Sequence, residues 1–366
     1  MESGDLDGAL RLMNGRVSSF IEAAIDYAEA GYYTDAVDIL DRCPSPNPMV
    51  FYHKALYNAK AGADTDDALE QAAAASPLYC FPNRLEDILA LQYAIANNPT
   101  DSRAPYYLGC LYYDRFRFEE ATALWEQSAS LDPAFPTVWR NLALAYFNKQ
   151  KESQKARVAL EKAYALDESD ARVLLELDQL YHKLNVPLKD RFTFLDAHRD
   201  IVLKRDDLYI EYCAMLNHRG EYEKALDMIL NRQFHPWEGG EGKVTTQYAA
   251  ALKQMARQAL RRGDPREARR LLREALVFPH NLGEGKLEGA KDNDIYYYLG
   301  LAERMLGDEK AAIGHLAHAA AGDEEPASAM YYNDQPAELI LYEGLASRAL
   351  GDEGRARSRF YKLIAY

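Results

Sequence analysis

The sequence predicts an all-α fold, a solenoid of stacked helix pairs, on three observations. The first is a repeated spacing. Between Ser102 and Phe135 the chain carries Pro105-Tyr106-Tyr107-Leu108-Gly109, then Tyr112, Ala121, Trp125 and Pro133. The next copy reads Trp139, Leu142-Ala143, Tyr146, Ala156, Leu160, Ala163 and Leu166-Asp167, with one residue inserted in the turn. The second is the period of about 34 residues, which makes the unit a helix pair that cannot bury its apolar face alone. The third is punctuation. Gly220-Glu221, Gly263-Asp264, Gly307-Asp308 and Gly351-Asp352 each read as a helix stop followed by a helix start.

In chain order, the first full copy uses Phe20, Ala24, Tyr27, Gly31, Ala36 and Leu40, and a second uses Tyr52, Leu56, Ala68 and Ala72. The two best copies follow, then a divergent stretch at Asp170–Lys204. Regular copies resume with Tyr209, Cys213, Leu216, Gly220, Ala225 and Ile229, then Ala256, Gly263, Ala268, Leu272 and Ala275. Tyr296, Leu299-Gly300, Gly307, Ala312, Leu316 and Ala319 form the next, and Gly344, Gly351, Ala356 and Phe360 the last. The small residue in each helix sits where two helices cross closely, because only small side chains fit between backbones there. The expected organisation is therefore residues 1–16, a partial repeat helix; 17–101, N-terminal repeats; 102–169, two well-formed repeats; 170–231, a divergent repeat and a regular one; and 232–366, C-terminal repeats with two ordered loops.

At the start, Gly4-Asp5, Ala9 and Met13 match the second half of a repeat whose first helix is missing. At the end, the chain stops at Tyr366 without the polar capping helix that such arrays commonly need. Both ends fit one module of a longer polypeptide, or a natural protein with an atypical first helix.

Composition narrows the function classes. The formal charge of −14 argues against nucleic acid as the partner, since backbone binding needs an excess of Lys and Arg. No run approaches 18 apolar residues, so no membrane span is expected, and Met1-Glu2-Ser3-Gly4-Asp5 has no secretory signal character. Cys43, Cys80, Cys110 and Cys213 stand alone, which reads as buried free thiols in a reducing cytoplasm.

Two interruptions break the period. Arg232-Gln-Phe-His-Pro-Trp-Glu-Gly-Gly-Glu-Gly-Lys243 and Val277-Phe-Pro-His-Asn-Leu-Gly-Glu-Gly-Lys286 follow the second helices of successive pairs. Each holds Phe, His and Pro ahead of Gly-Glu-Gly-Lys. Leaving equivalent ends of stacked pairs, they should be ordered and should touch each other or lie on adjacent turns. The second continues through Leu287-Glu-Gly-Ala-Lys-Asp-Asn-Asp294, whose last residues are placed to cap a helix. A nucleotide loop is excluded by context, because Val244 and Leu287 replace the Ser or Thr that should follow Lys, and the flanks are helical. Loop residues His235, Trp237, Glu238, Glu241, Lys243, Asn281, Glu284, Lys286, Asp292 and Asp294 are candidate binding residues. Trp offers a flat apolar face and the carboxylates accept hydrogen bonds from hydroxyls, so carbohydrate is one ligand class. The alternative is that the loops brace an irregular stack or dock against another domain. In the first case Glu241, Glu284 and Asp294 should point into one cleft; in the second they should cap helices or pair with Lys243 and Lys286. His315 and His318 share a helix face without a third ligand, and no nucleophile is placed with a base. No catalytic residue, metal ligand or cofactor is assigned.

The helix-pair motif resembles the tetratricopeptide repeat (TPR) over roughly four-fifths of the chain. That resemblance implies a right-handed superhelix of about nine helix-turn-helix repeats. The segments Phe81-Pro-Asn-Arg-Leu-Glu86, Leu174-Leu-Glu-Leu-Asp-Gln-Leu180, His235-Pro-Trp-Glu-Gly-Gly-Glu-Gly-Lys243 and Asn281-Leu-Gly-Glu-Gly-Lys286, with Asp292-Asn-Asp294, resemble the C-terminal repeat region of a family of large bacterial cytosolic proteins. Their N-terminal half is a β-sandwich similar to galactose mutarotase, of unknown function, and that half is absent from this sequence. By resemblance to the repeat family, the groove-facing positions of one first helix are Ala250, Lys253, Arg257, Leu260 and Arg261, and the next unit adds Tyr297 and Arg304. Lys253, Arg257 and Arg261 form a cationic ladder at i, i+4 and i+8. Some relatives clamp a peptide carboxylate with such residues, but the accompanying Asn residues are not at the matching positions here. Two functions follow: a non-catalytic scaffold that binds a protein or peptide segment, acidic by preference, or docks its own N-terminal domain; or an accessory repeat domain of a carbohydrate-active enzyme, whose paired loops help form a sugar cleft.

Overall fold

The computed structural model describes residues 6–323, 325, 327 and 336–365. Gly4, Asp5 and Tyr366, used above to place the two ends, lie outside them. Every regular element among the described residues is helical, and none of these helices is long and apolar enough to cross a membrane. The chain divides into two compact units that meet between Asn185 and Val186.

The first unit holds α1 (Leu6–Met13), α2 (Val17–Glu29), α3 (Tyr33–Asp41), α4 (Pro48–Ala61), α5 (Asp66–Ala74), α6 (Leu85–Asn97), α7 (Arg103–Asp114), α8 (Phe118–Leu131), α9 (Pro136–Ala145), α10 (Ser153–Leu166) and α11 (Ala171–Lys183). The pairs α2/α3, α4/α5, α7/α8 and α9/α10 pack as hairpins and stack on their neighbours. A helix beyond the pair pattern, α6, lies against both α4 and α7. Its start is tied from within by Asp87, which accepts from the backbone amides of Asn83 and Arg84 at 2.8 and 3.0 Å.

The second unit holds α12 (Leu188–Ala197), α13 (Arg199–Val202), α14 (Asp206–His218), α15 (Tyr222–Leu230), α16 (Lys243–Arg261), α17 (Pro265–Ala275), α18 (Asn293–Met305), α19 (Glu309–Ala320), α20 (Ala337–Ala349) and α21 (Glu353–Ala365). Here α14/α15, α16/α17, α18/α19 and α20/α21 are the hairpins.

The close crossings fall where the motif puts its small residues. Ala121, Ala156, Ala225, Ala268, Ala312 and Ala356 are all fully buried. A Cβ on Gly109 would sit 2.6 Å from the Trp125 ring, one on Gly300 2.6 Å from Leu316, and one on Gly344 2.5 Å from Phe360. The stop and start signals also act as read. Gly263 and Gly307 take φ of 76° and 84°, open to glycine at little cost. Asp264 and Asp308 then accept from Glu267 N at 3.1 Å and Ala311 N at 2.9 Å, capping α17 and α19.

The residue inserted after Ala143 has a local consequence. Rather than lengthening the turn, it is absorbed as a π-helical turn, Tyr146–Gln150, that continues α9. One extra residue in a helix widens one turn to i→i+5 bonding.

Candidate functional site

Two segments of the second unit hold most of the candidate residues: 231–242 between α15 and α16, and 276–292 between α17 and α18. They touch, as their spacing predicts. Phe234 N donates to Asn281 O at 2.8 Å, so the loops share a backbone bond. The Asn281 carboxamide donates to the carbonyls of Ile229 and Arg232, each at 2.9 Å, and closes the end of α15. Gly283, at φ 78°, brings its backbone so near Phe234 that a Cβ would lie 2.8 Å from the Phe234 carbonyl oxygen. Phe234 and Leu282 are buried beneath, and Phe234 meets Tyr209 edge to face. Glycine-rich polar loops gain little from burial; these two are held by apolar anchors and a carboxamide that satisfies helix-end carbonyls.

Above the anchors lies a cavity of about 470 Å³, lined by Pro236, Trp237, Glu238 and Glu241 from one loop and Glu284, Gly285 and Leu287 from the other. Trp237 is half-buried, its indole flat against Gly240, where a Cβ would lie 2.1 Å from the ring. Glu284 Oε2 accepts from Gly242 N at 2.9 Å, at the start of α16, where a helix favours negative charge.

A second cavity, of about 340 Å³, adjoins the first through Glu284, Gly285 and Leu287. Its walls come from three successive first helices: Thr245, Ala249 and Lys253 on α16, Asp294 and Ile295 on α18, and Glu338 and Leu339 on α20. Lys286 and Asp292 close it from the second loop and form an ion pair at 2.6 Å. Burial pushes the Asp292 carboxyl up, and Lys286 offsets part of that rise.

The expected residues thus divide. Glu241 and Glu284 share one cavity, and Glu284 also lines the other, together with Asp294. Bracing contacts coexist with this: Glu284 caps α16, Asp292 pairs with Lys286, and Asp294 pairs with Lys253. His235 lies on the outer side, its backbone amide donating to Asp206 at 3.0 Å. Lys243 is exposed at the start of α16.

The cationic ladder is only partly open. Lys253 is committed to Asp294, which α18 presents across the groove. Arg257 donates to Gln254 at 2.9 Å and lies over the Tyr298 ring, and Arg261 is exposed at the end of α16. Arg304 pairs with Glu309 at 2.9 Å, and Tyr297 joins Tyr298 and Tyr342 in an aromatic cluster.

Sequence reasoning did not anticipate the surface created by the π turn, where Phe147 and Asn148 meet Gln179 and Lys183 of α11 around a small cavity. The inserted residue was the visible signal.

No protein-family model matches the chain. Solved structures similar to it include YrrB, described as a TPR protein with an unusual peptide-binding site, at 16% identity over 63% of this chain and 90% of that one, TM-score 0.35. MamA from Desulfovibrio magneticus RS-1 is 16% identical over 51% of this chain and 95% of that one, TM-score 0.31. Another MamA structure is 22% identical over 45% of this chain and 86% of that one, TM-score 0.25.

Proposed function

We propose that this chain is a non-catalytic interaction scaffold that holds a protein or peptide segment against the first helices of its second unit. The observation behind this reading is the 340 Å³ cavity, because α16, α18 and α20 all contribute to it. A surface shared by consecutive repeats is what an extended segment needs. The partner is acidic by preference, through Arg257 and Arg261, with Lys253 already paired to Asp294. Titrating an acidic peptide library should give affinities that fall with added salt. A variant with Ala at Lys253, Arg257 and Arg261 should bind about tenfold more weakly, since it removes three cations and leaves Asp294 unpaired. Equal binding by parent and variant would remove the groove reading.

The proposed setting is the cytoplasm. The described thiols form no disulfide, and burial pushes Cys80 and Cys213 up to about 12, so both stay protonated and unreactive.

A second reading places a sugar, or the β-sandwich domain of the family it resembles, at the loop cavity. What favours it is Trp237, half-buried beside Glu241 and Glu284 in one 470 Å³ space. A glycan array probed with the chain and with Trp237→Ala decides the sugar case: binding abolished by the substitution supports it, and an array without signal ends it.

A further inference from the structure

The cavity beside the π turn lies in the first unit, and none of the candidate binding residues of the loops or the cationic ladder lines it. Its floor is apolar: Ala143, Leu144, Phe147, Leu160 and Leu180. Its rim is polar, with Asn148 on the π turn and Glu176, Gln179 and Lys183 on α11. The volume is about 80 Å³. An apolar cavity of about 150 Å³ takes a benzene ring, so this one is too small for an aromatic side chain and suits a branched aliphatic one.

The rim states what surrounds that side chain. Asn148 and Gln179 are exposed, and among the described residues neither carboxamide has a hydrogen-bond partner. A carboxamide offers a donor and an acceptor in one plane, the complement of a peptide unit. Glu176 is held by two guanidinium groups, Arg140 at 2.5 Å and Arg172 at 3.2 Å. Asp170 spends its carboxylate on the amides of Arg172 and Val173, at 2.8 and 3.1 Å. Lys183 has no carboxylate partner among the described residues and lies over the Phe147 ring at 5.2 Å. Of the lining charges, Glu176 is thus already matched by guanidinium groups, and Lys183 is the one without a carboxylate partner among the described residues.

We infer that this cavity is the anchor pocket for an extended peptide, taking one Val, Leu or Ile side chain beside an acidic residue that meets Lys183, with Asn148 and Gln179 bonding the peptide backbone. Placement on the π turn is consistent with the functional use of such turns, since the wider turn carries both Phe147 and Asn148 to the cavity. The inference rests on the scaffold reading and adds an anchor in the other unit.

The test pans a random peptide display library against the full chain. Enriched peptides are synthesised and their affinities measured for the parent, for Asn148→Ala with Gln179→Ala, and for Lys183→Glu. These residues are exposed, and thermal melts confirm that the variants stay folded. The expected peptides carry an aliphatic residue next to Asp or Glu. They should lose roughly 10–30-fold on the double variant, as two neutral hydrogen bonds are removed, and should lose affinity on Lys183→Glu as well. Peptides that bind all three proteins equally, or that share an aromatic anchor, overturn the pocket and leave the scaffold standing. A library that yields no enriched peptide overturns both.

Discussion

Replacing Asp87 by Ala is expected to cost about 3–5 kcal/mol of unfolding free energy, since it takes the acceptor from three donors at about 1–3 kcal/mol for each one left buried and unmade. Asp87 and His53 are both fully buried, with His53 Nε2 2.8 Å from Asp87 Oδ1. An ionised carboxylate only accepts, so Nε2 carries the proton and donates, and Nδ1 meets the Tyr57 hydroxyl at 3.2 Å. The other carboxylate oxygen accepts the amides of Asn83 and Arg84. One side chain therefore ties α4 to α6 and caps α6, and Ala leaves a buried imidazole and two helix-end amides without their acceptor. Burial alone would raise the Asp87 carboxyl, but the His53 and backbone hydrogen bonds outweigh it and hold the group below its usual value. A depressed folded value contributes stability above the unfolded carboxyl near 3.9, and that contribution drains away as pH falls through the folded value. Denaturant titrations at pH 7 and below pH 4 should show the parent losing its advantage over Asp87→Ala in acid. A deficit under about 1 kcal/mol at pH 7 would mean the pair is not closed as described.

The helix-pair fold was legible because its signals are local and doubled. Gly109 meets Trp125 and Gly344 meets Phe360 across the crossings that the motif implies, and Gly-Asp pairs both end one helix and cap the next. The helix α6 was not legible as part of a pair. What places it is Asp87 bonding to His53, 34 residues away, and no periodic pattern encodes that contact. The π turn falls between these cases: the extra residue showed in the spacing, but not whether a loop or a helix would absorb it.

The candidate site was half legible for a similar reason. Composition and the repeated Gly-Glu-Gly-Lys identified the loops, and Phe234 with Gly283 shows why they stay together. Partner choice was hidden. Lys253 looked like an open groove cation until α18 supplied Asp294, 41 residues on, and Asn281 looked like a ligand contact until it closed the end of α15. Charged and amide side chains in a solenoid find partners one repeat away, so periodicity locates them without showing what they bond.

Arg359 in α21 gives the second large effect. It is 1% exposed and donates from Nε to Glu343 Oε2 of α20 at 2.7 Å, while Glu343 is wholly buried. Arg359→Leu should cost about 3–5 kcal/mol, because it removes the guanidinium of an ion pair buried among packed helices. Arg359→Leu combined with Glu343→Leu should recover most of that loss, since well-packed apolar replacements of a buried pair are commonly neutral or stabilising. The pH dependence runs opposite to that of Asp87. Burial raises the Glu343 carboxyl, more than Arg359 lowers it. A raised folded value adds stability that is fully present below the unfolded carboxyl near 4.3 and is lost as pH rises through the folded value. Removing Arg359 lifts Glu343 further, so the Arg359→Leu deficit should shrink in acid, where Glu343 is neutral, and the double variant should lose this dependence. Chemical denaturation of the three proteins at several pH values measures both effects. A double variant no more stable than Arg359→Leu would show that the cost lies in the shape of the lost side chain, and not in the broken ion pair.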